Sequence, residues 1–341
     1  MRYYGGKEKL LEPIRSLLEE INKDRLEPIG DLFAGTGVVG KTLRLSGHQV
    51  IANDILYFCY CLNVSNLSFG DDECFEQIDG FTNAIQILNN LPPRHEFISE
   101  HFSPAGSASR MYFSEANAKR IDAIRISIEE WRRDKKITEL EKAALIGILL
   151  KAINRISNVT GTYAAYLKDW DPRATKDLRL EATDLIRTGP AGQVFNQDIF
   201  TLPSSSLPKI VYLDPPYNQR DYASNYHLLE LISVGWFGQG VVPSGVTGMT
   251  TDRSKKSTFS SKRTVVESFG ALFAIQNFET IVLSYSNEGL ISIEELVDMM
   301  SRHGNVRRTE ISHKRFRSIN QDGSRSKTIE SLIVLEGGKR G

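Results

Sequence analysis

The sequence predicts an α/β fold, a doubly wound sheet interrupted by one helical insertion, and three observations carry that reading. A strand, a glycine turn, a helix and a second strand follow one another between Pro28 and Ala52. The middle of the chain, from about Phe69 to Gly189, reads almost wholly helical. Strand patterns then return at Lys209–Asp214 and Glu279–Ser284, and the chain closes on a hairpin pattern.

Taken in order, Leu10 to Glu20 reads as a helix, and Pro28–Phe33 as a short buried strand entering a glycine turn. A helical pattern from Val38 to Ser46 is stopped by Gly47, and the next strand, Gln49–Ala52, ends at Asn53-Asp54. This is a βαβ unit, for which a right-handed crossover is the default. In the insertion, Ile121, Ile124, Ile128 and Trp131 share one helical face, as core residues do. Thr138 with Glu141 has the spacing of a capping box and opens a helix toward Ile156. Gly235 to Arg263, rich in Gly, Ser, Thr and Lys, reads as a mobile loop. A helix from Ser292 to Arg302 leads into alternating residues around Val306–Ile311. The turn Gln321–Ser324 and the apolar strand Ser331–Leu335 complete the hairpin.

Composition narrows the class. The 341 residues are 40% hydrophobic and 25% charged, which suits a soluble globular chain. The longest apolar stretch, beginning at Ala143, is broken by Lys151, far short of the ~20 residues of a membrane span. The first residues lack the apolar core of a signal peptide. Cys59, Cys61 and Cys74 are odd in number and read as reduced thiols, so a cytoplasmic location is expected and secreted, disulfide-stapled and disordered classes are excluded. Lys plus Arg equals Asp plus Glu at 42 each, yet the charge is unevenly placed. Arg307, Arg308, Lys314, Arg315, Arg317, Arg325 and Lys327 cluster against only Glu310 and Asp322. A second basic stretch holds Arg253, Lys255, Lys256, Lys262 and Arg263.

The glycine turn supports two chemistries. Asp31-Leu32-Phe33-Ala34-Gly35-Thr36-Gly37-Val38-Val39-Gly40 contains G-x-G-x-x-G, with Asp54 at the end of the following strand. Glycines there permit close backbone approach to a nucleoside cofactor, and a strand-end carboxylate accepts from ribose hydroxyls. Gly35 to Thr42 also satisfies the phosphate-cradling pattern of a P-loop, and Ile210–Asp214 offers an apolar strand ending in an acid, so a P-loop ATPase is an alternative. A tight turn with no ligand is a third reading. Asp214-Pro215-Pro216-Tyr217 decides between them. Two prolines stiffen the backbone after the strand and hold a carbonyl and a carboxylate together. With an aromatic plate beside them, they suit an exocyclic amine on an extruded base and not a phosphate.

These motifs, in this order, resemble the adenine-specific DNA methyltransferases related to Dam and to restriction–modification enzymes of the α arrangement. Tyr3-Tyr4-Gly5-Gly6-Lys7 comes first, then the glycine loop, Asn53-Asp54, the helical insertion, Asn196-Gln197-Asp198, Asp214-Pro215-Pro216-Tyr217 and Leu283–Ser286. The insertion matches by position more than by residues. The resemblance implies a Rossmann-like, S-adenosylmethionine-dependent methyltransferase sheet with an antiparallel C-terminal hairpin. It divides the chain into residues 1–68, the cofactor-binding part of the catalytic domain; 69–190, a helical insertion in the target-recognition position; and 191–341, the active-site part with the basic hairpin.

The activity implied by the resemblance is site-specific methylation of the N(6) amine of a flipped adenine in double-stranded DNA, with S-adenosylmethionine as cofactor and no metal. Asp214, Pro215, Pro216 and Tyr217 would be catalytic. Tyr4, Lys7, Asp31, Phe33, Gly35, Gly37, Asp54 and Asp198 would hold the cofactor, Asp54 at its ribose and Asp198 at its adenine amine. The basic hairpin, Arg307, Arg308, Lys314, Arg315, Arg317, Arg325 and Lys327, would bind DNA. A monomer is the default expectation, and a cognate restriction endonuclease acting on the same site the expected functional partner. An RNA adenine methyltransferase is the alternative within the class, because the chemistry is shared. Local readings stand beside these: Asp54 and Asp198 as turn residues, Lys7 as a solvated charge, and Tyr222, Asn225 and His227 either lining the base pocket or bonding within a loop.

Overall fold

The computed structural model describes residues 6–70, 74–219, 221–238, 240–250, 256–275, 277–319 and 325–337, with side chains described outside 312–319 and 325–328. Those residues hold one seven-stranded sheet: β1 (Ile29–Asp31), β2 (Val50–Asn53), β3 (Gln193–Phe195), β4 (Ile210–Leu213), β5 (Thr280–Ser286), β6 (Gly304–Ile319) and β7 (Arg325–Gly337). The spatial order is β3-β2-β1-β4-β5-β7-β6. Strands β1 to β5 pair in parallel, while β7 lies antiparallel to β5 and β6 antiparallel to β7. The order reverses between β1 and β4. In open α/β sheets that reversal leaves a crevice at the carboxyl ends of the strands.

Period-two burial gives the sheet its two faces. Ile210, Tyr212, Val282, Leu332 and Val334 pack with Ile14 and Leu18 of α1 (Leu11–Asn22) and Val39 and Leu43 of α2 (Val38–Leu45). The alternate residues Val211, Leu213, Ile281, Leu283, Ile333 and Leu335 pack on the other side with Phe269 and Leu272 of α10 (Val265–Phe273) and Leu296 of α11 (Ile293–Ser301). Central strands buried on both faces read as near-continuous apolar runs, which is why β4 and β5 were visible in the sequence.

The helices of the middle form a third core. It joins α3 (Tyr57–Leu67), α4 (Phe81–Asn89), α5 (Phe97–Phe102), α6 (Glu115–Arg133) and α7 (Glu139–Ile156) to α9 (His227–Val234), the helix that follows the short α8 (Tyr222–Asn225). The capping box at Thr138 and Glu141 forms as the sequence predicts. Charged side chains close helix ends: half-buried Glu230 of α9 accepts from the Tyr57 and Phe58 N–H groups that open α3, and buried Arg125 of α6 donates to Ile232 and Ser233 carbonyls at the end of α9. Each charge complements the helix dipole it meets. The helix following the Asp-Pro-Pro-Tyr segment is thereby locked to the helix following Asp54.

Two expectations are corrected. Residues 157–192 are not helical apart from one turn at Ala182–Asp184. Asn158 instead organises an irregular segment, donating to the Met111 and Leu167 carbonyls and accepting from the Asp171 N–H. The stretch read as a mobile loop is in part fastened: Arg110 donates to the Gly245 and Val246 carbonyls, and the Tyr112 hydroxyl to that of Thr247. The expected hairpin turn at Gln321–Ser324 lies outside the described residues. No helix among the described residues is long and apolar enough to cross a membrane.

Candidate active site

At the crevice between β1 and β4 the loop after β1 turns sharply, with Gly35 at φ 53° and Gly37 at φ 76°. Positive φ is open to glycine at little cost, which is the reason for both residues. Two carboxylates hold the turn. Asp31 is buried and accepts from the Gly40 N–H at 3.1 Å; Asp54 accepts from Gly35 N–H at 2.8 Å and Leu56 N–H at 2.9 Å. Burial pushes Asp31 up to about 7 and Asp54 up to about 6, against the pull of those N–H groups.

A cavity of about 280 Å³ opens here, walled by the ends of β1, β2, β3 and β4. One end is lined by Ile55, Asp198, Phe200 and Phe33. Asp198 is exposed and accepts from the Phe200 N–H at 3.0 Å, capping a single helical turn. Phe259 meets the edge of Phe33 at 5.3 Å between ring centroids and stacks with Phe200 at 6.2 Å. Apolar walls with one carboxylate at the rim suit a flat ring carrying an amine.

The other end holds Asp214, Pro215, Pro216, Tyr217 and Tyr222. Asp214 has the parity of Tyr212 and Ile210, so it projects on the α1 face of the sheet. Lys7, one turn before α1, stands on the same face and places Nζ 3.1 Å from Asp214 Oδ1. The same ammonium pairs with Glu330 of β7, whose carboxylate also accepts from Ser284 Oγ at 2.7 Å. Burial pushes Asp214 up to about 6; Lys7 opposes that and Glu330 adds to it. Burial works against the charge on Lys7, but Asp214, Tyr212 and Glu330, with Tyr217, together outweigh it and hold Lys7 well above the usual lysine range. The Tyr217 ring is braced edge-on by Tyr285 at 5.9 Å and 70°, and its carbonyl accepts from the Leu290 N–H.

The structure thus brings Lys7, Asp31, Phe33, Gly35, Asp54, Asp198 and the Asp214–Tyr217 segment to one cavity. Gly37 is not on its wall: it opens α2 with its Cα against α3, where a Cβ would lie 2.5 Å from Asn63 Oδ1. Of the residues beyond the motif, Tyr222 lines the cavity, whereas His227 is buried against the Tyr163 carbonyl at 3.0 Å and Asn225 is not on the wall. Tyr4 lies outside the described residues, as do the side chains of Lys314, Arg315, Arg317, Arg325 and Lys327. Arg307 and Arg308 do not make a common basic face. Consecutive strand residues point oppositely, so Arg307 turns to Glu20 of α1 at 3.6 Å and Arg308 to Glu294 of α11 at 3.4 Å.

The P-loop alternative does not survive this geometry. Helix α2 already contains Gly40, Lys41 and Thr42; the Gly40 N–H is committed to Asp31, and the Thr42 hydroxyl donates to the Val38 carbonyl at 2.8 Å. Sequence reasoning missed Ile55, Phe200, Phe259 and Glu330. For Glu330 a signal was present, an acid sharing strand parity with the buried Leu332 and Val334. Among the described residues, no group of three or more His, Cys, Asp or Glu side chains could hold a metal ion.

Comparison with known proteins points the same way. The model of a family described as D12 class N6 adenine-specific DNA methyltransferases matches residues 3–299. A type II methyltransferase of Planomicrobium okeanokoites, M.FokI, is 38% identical over 309 residues, covering 89% of this chain and 47% of its own length. The type II methyltransferase M.NlaIII of Neisseria lactamica is 35% identical over 342 residues, 98% of this chain and 99% of the relative. The modification methylase StsI of Streptococcus sanguinis is 34% identical over 341 residues, 98% of this chain and 51% of the relative. The chain therefore spans about half the length of the first and third, and nearly all of the second.

Proposed function

The chain belongs to the D12 class N6 adenine-specific DNA methyltransferases, and from that premise we propose that it methylates the N(6) amine of a flipped adenine within a specific sequence of double-stranded DNA. The observation that carries the reading is one cavity with two chemically distinct ends. Asp31, Gly35 and Asp54 stand near the loop, while Asp214 with its two prolines and Tyr217 faces the same space.

The residues present fit S-adenosylmethionine. Asp31, buried at the end of β1 and held above the usual carboxylate range, carries a cost that a ligand bearing cationic groups relieves. Asp54 would take the ribose hydroxyls and Asp198 the adenine amine between Ile55 and Phe200. Asp31, Phe33 and Gly35 would flank the methionine part, with Tyr4 nearby. Bound there, the cofactor would supply a methyl group on a sulfonium, whose sulfur would leave as a neutral thioether without metal or general acid, while one proton of the amine would pass along its hydrogen bond to Asp214 and on to solvent.

The protein's share is positioning and electrostatics. The adenine amine is a poor nucleophile because its lone pair is delocalised into the ring. Hydrogen bonds from the amine to Asp214 and to the Pro215 carbonyl favour a pyramidal nitrogen and release that lone pair. Tyr217 offers a stacking face to the extruded base, offsetting the few kcal/mol of unstacking.

The motif order, glycine loop before insertion before Asp-Pro-Pro-Tyr, supports the α arrangement with the helical region as the target-recognition part. DNA is held by the distal hairpin through Lys314, Arg315, Arg317, Arg325 and Lys327. The protein acts as a cytoplasmic monomer, paired with a restriction endonuclease of the same site specificity. The test is to express the chain with a plasmid in cells lacking other methyltransferases and to sequence modified bases. N(6)-methyladenine at one recurring sequence is expected; modified cytosine, modified RNA alone, or no modification contradicts the reading.

A further inference from the structure

Resting on the methyl-transfer reading above, we propose that Glu330 is a positioning residue: it seats the Lys7 ammonium beside Asp214 and so fixes the carboxylate that meets the target amine. Glu330 does not itself line the cavity, and with 4% of its side chain exposed it is buried as deeply as Lys7 at 5%. Asp214, at 16%, is the more exposed carboxylate of the three-membered cluster and the one on the cavity wall. The cluster is assembled from distant parts of the chain. Glu330 pairs in register with Ser286 of β5 and Ile311 of β6, and the strand is tied beside it by two hydrogen bonds between Asn287 and the backbone of Ile329. Ser284 Oγ, on the same face, donates to the Glu330 carboxylate.

Stability does not explain a glutamate at this position. Its neighbours on the same face of β7 are Leu332 and Val334, and apolar residues in place of a buried ion cluster are commonly neutral or stabilising. What Glu330 provides is a second anchor for the ammonium. With one carboxylate on each side, Lys7 is held at a fixed point, and Asp214 meets a defined cation on one flank while its other flank faces the base end of the cavity. Tyr212 of β4, Tyr217 after it, Tyr222 of α8 and Asp31 at the end of β1 are other titratable groups around the cluster.

The experiment uses the full chain and four variants: Glu330→Gln, Glu330→Ala, Lys7→Met and the Glu330→Gln, Lys7→Met pair. Glu330→Gln keeps the shape and can still accept from Ser284, so it carries the test where Glu330→Ala fails to fold. Methyl transfer to a cognate duplex is measured against pH, and S-adenosylmethionine binding by calorimetry. Glu330→Gln should lower kcat by about tenfold or more with cofactor affinity unchanged, since a tenfold loss is a modest fraction of a transition-state barrier. The acidic limb of its profile should move to lower pH, because Asp214 loses a repelling neighbour and keeps Lys7. In the Lys7→Met background the same substitution should cost no further rate, the non-additivity expected of residues acting through one another. An active parent whose Glu330→Gln variant transfers at the parental rate, or loses the same factor with and without Lys7, overturns the inference. A parent that methylates no adenine overturns the functional reading instead.

Discussion

Lys7 and Asp214 form a buried ion pair, Nζ to Oδ1 3.1 Å, that joins the segment leading into the first helix to the end of the central strand β4. It converts the N-terminal Gly-Gly-Lys from a sequence motif into a part of the catalytic end of the cavity.

Removing the cation should be costly in a pH-dependent way. Lys7→Ala leaves Asp214 and Glu330 facing each other without compensation, a loss of about 3–5 kcal/mol for a broken buried pair, reduced where one carboxyl takes a proton. Asp214, already raised by burial, would then rise further in the folded state. Such groups stabilise fully below their unfolded value near ~4 and lose that contribution as pH rises through the folded value. The gap in Tm between parent and variant should therefore widen from pH 5 to pH 8 in scanning calorimetry. A constant gap would mean the pair is not coupled as described.

Cofactor affinity should rise with pH. Asp31, placed beside the methionine part, is pushed up to about 7, first by burial, so it ionises across the neutral range. A ligand bearing a sulfonium and an ammonium gains as Asp31 ionises, and binding measured by calorimetry should strengthen from pH 5.5 to pH 8. Asp31→Asn should flatten that dependence. A parental affinity indifferent to pH would show that Asp31 does not face the cationic part of the ligand.

Tyr217 is held edge-on by Tyr285, which presents its ring in a fixed plane. A fluorescent adenine analogue at the target position should brighten on binding as it leaves the stack, and Tyr217→Ala should weaken productive binding by about 1–3 kcal/mol. Fluorescence that is the same at every position of the duplex would count against both flipping and this role.

The basic cluster divides into two. Arg307 and Arg308 at the root of the hairpin are engaged by Glu20 and Glu294 on opposite faces, so alanine at either position should leave DNA affinity and its salt dependence near parental. Alanine at Arg315 or Arg317 should instead weaken binding: a phosphate contact flattens the salt slope by about 0.9, and a base contact relaxes the site by about 1–3 kcal/mol at one position. Affinities across a salt series, on cognate and scrambled duplexes, separate the outcomes. Parental binding by both distal variants would place the DNA elsewhere.

The sequence revealed what is local. Strands β4 and β5 declare themselves because buried parallel strands are near-continuous apolar runs, β1 and β2 because they flank a glycine turn and a helix, and the Asp31–Gly37 loop and Asp214–Tyr217 segment because rigid turns need glycine and proline. What it concealed is what folding brings together over long separations. Glu330 meets Lys7 across 323 positions. Phe200 and Phe259 become one aromatic wall only after the sheet has formed. Arg307 and Arg308, adjacent in sequence, look like one patch until strand geometry parts them. Glu230 and Arg125 each close the end of another helix, a role that no local pattern announces.

The decisive experiment is Asp214→Ala, assayed for methyl transfer to adenine and for S-adenosylmethionine binding in parallel. Asp214 is assigned to the target amine, and Asp54 and Asp198 to the cofactor. Transfer of labelled methyl to DNA should therefore be abolished while calorimetric affinity for the cofactor stays close to the parent's. Retained transfer, or an equal collapse of cofactor binding in a folded variant, would contradict the assignment on which the mechanism rests.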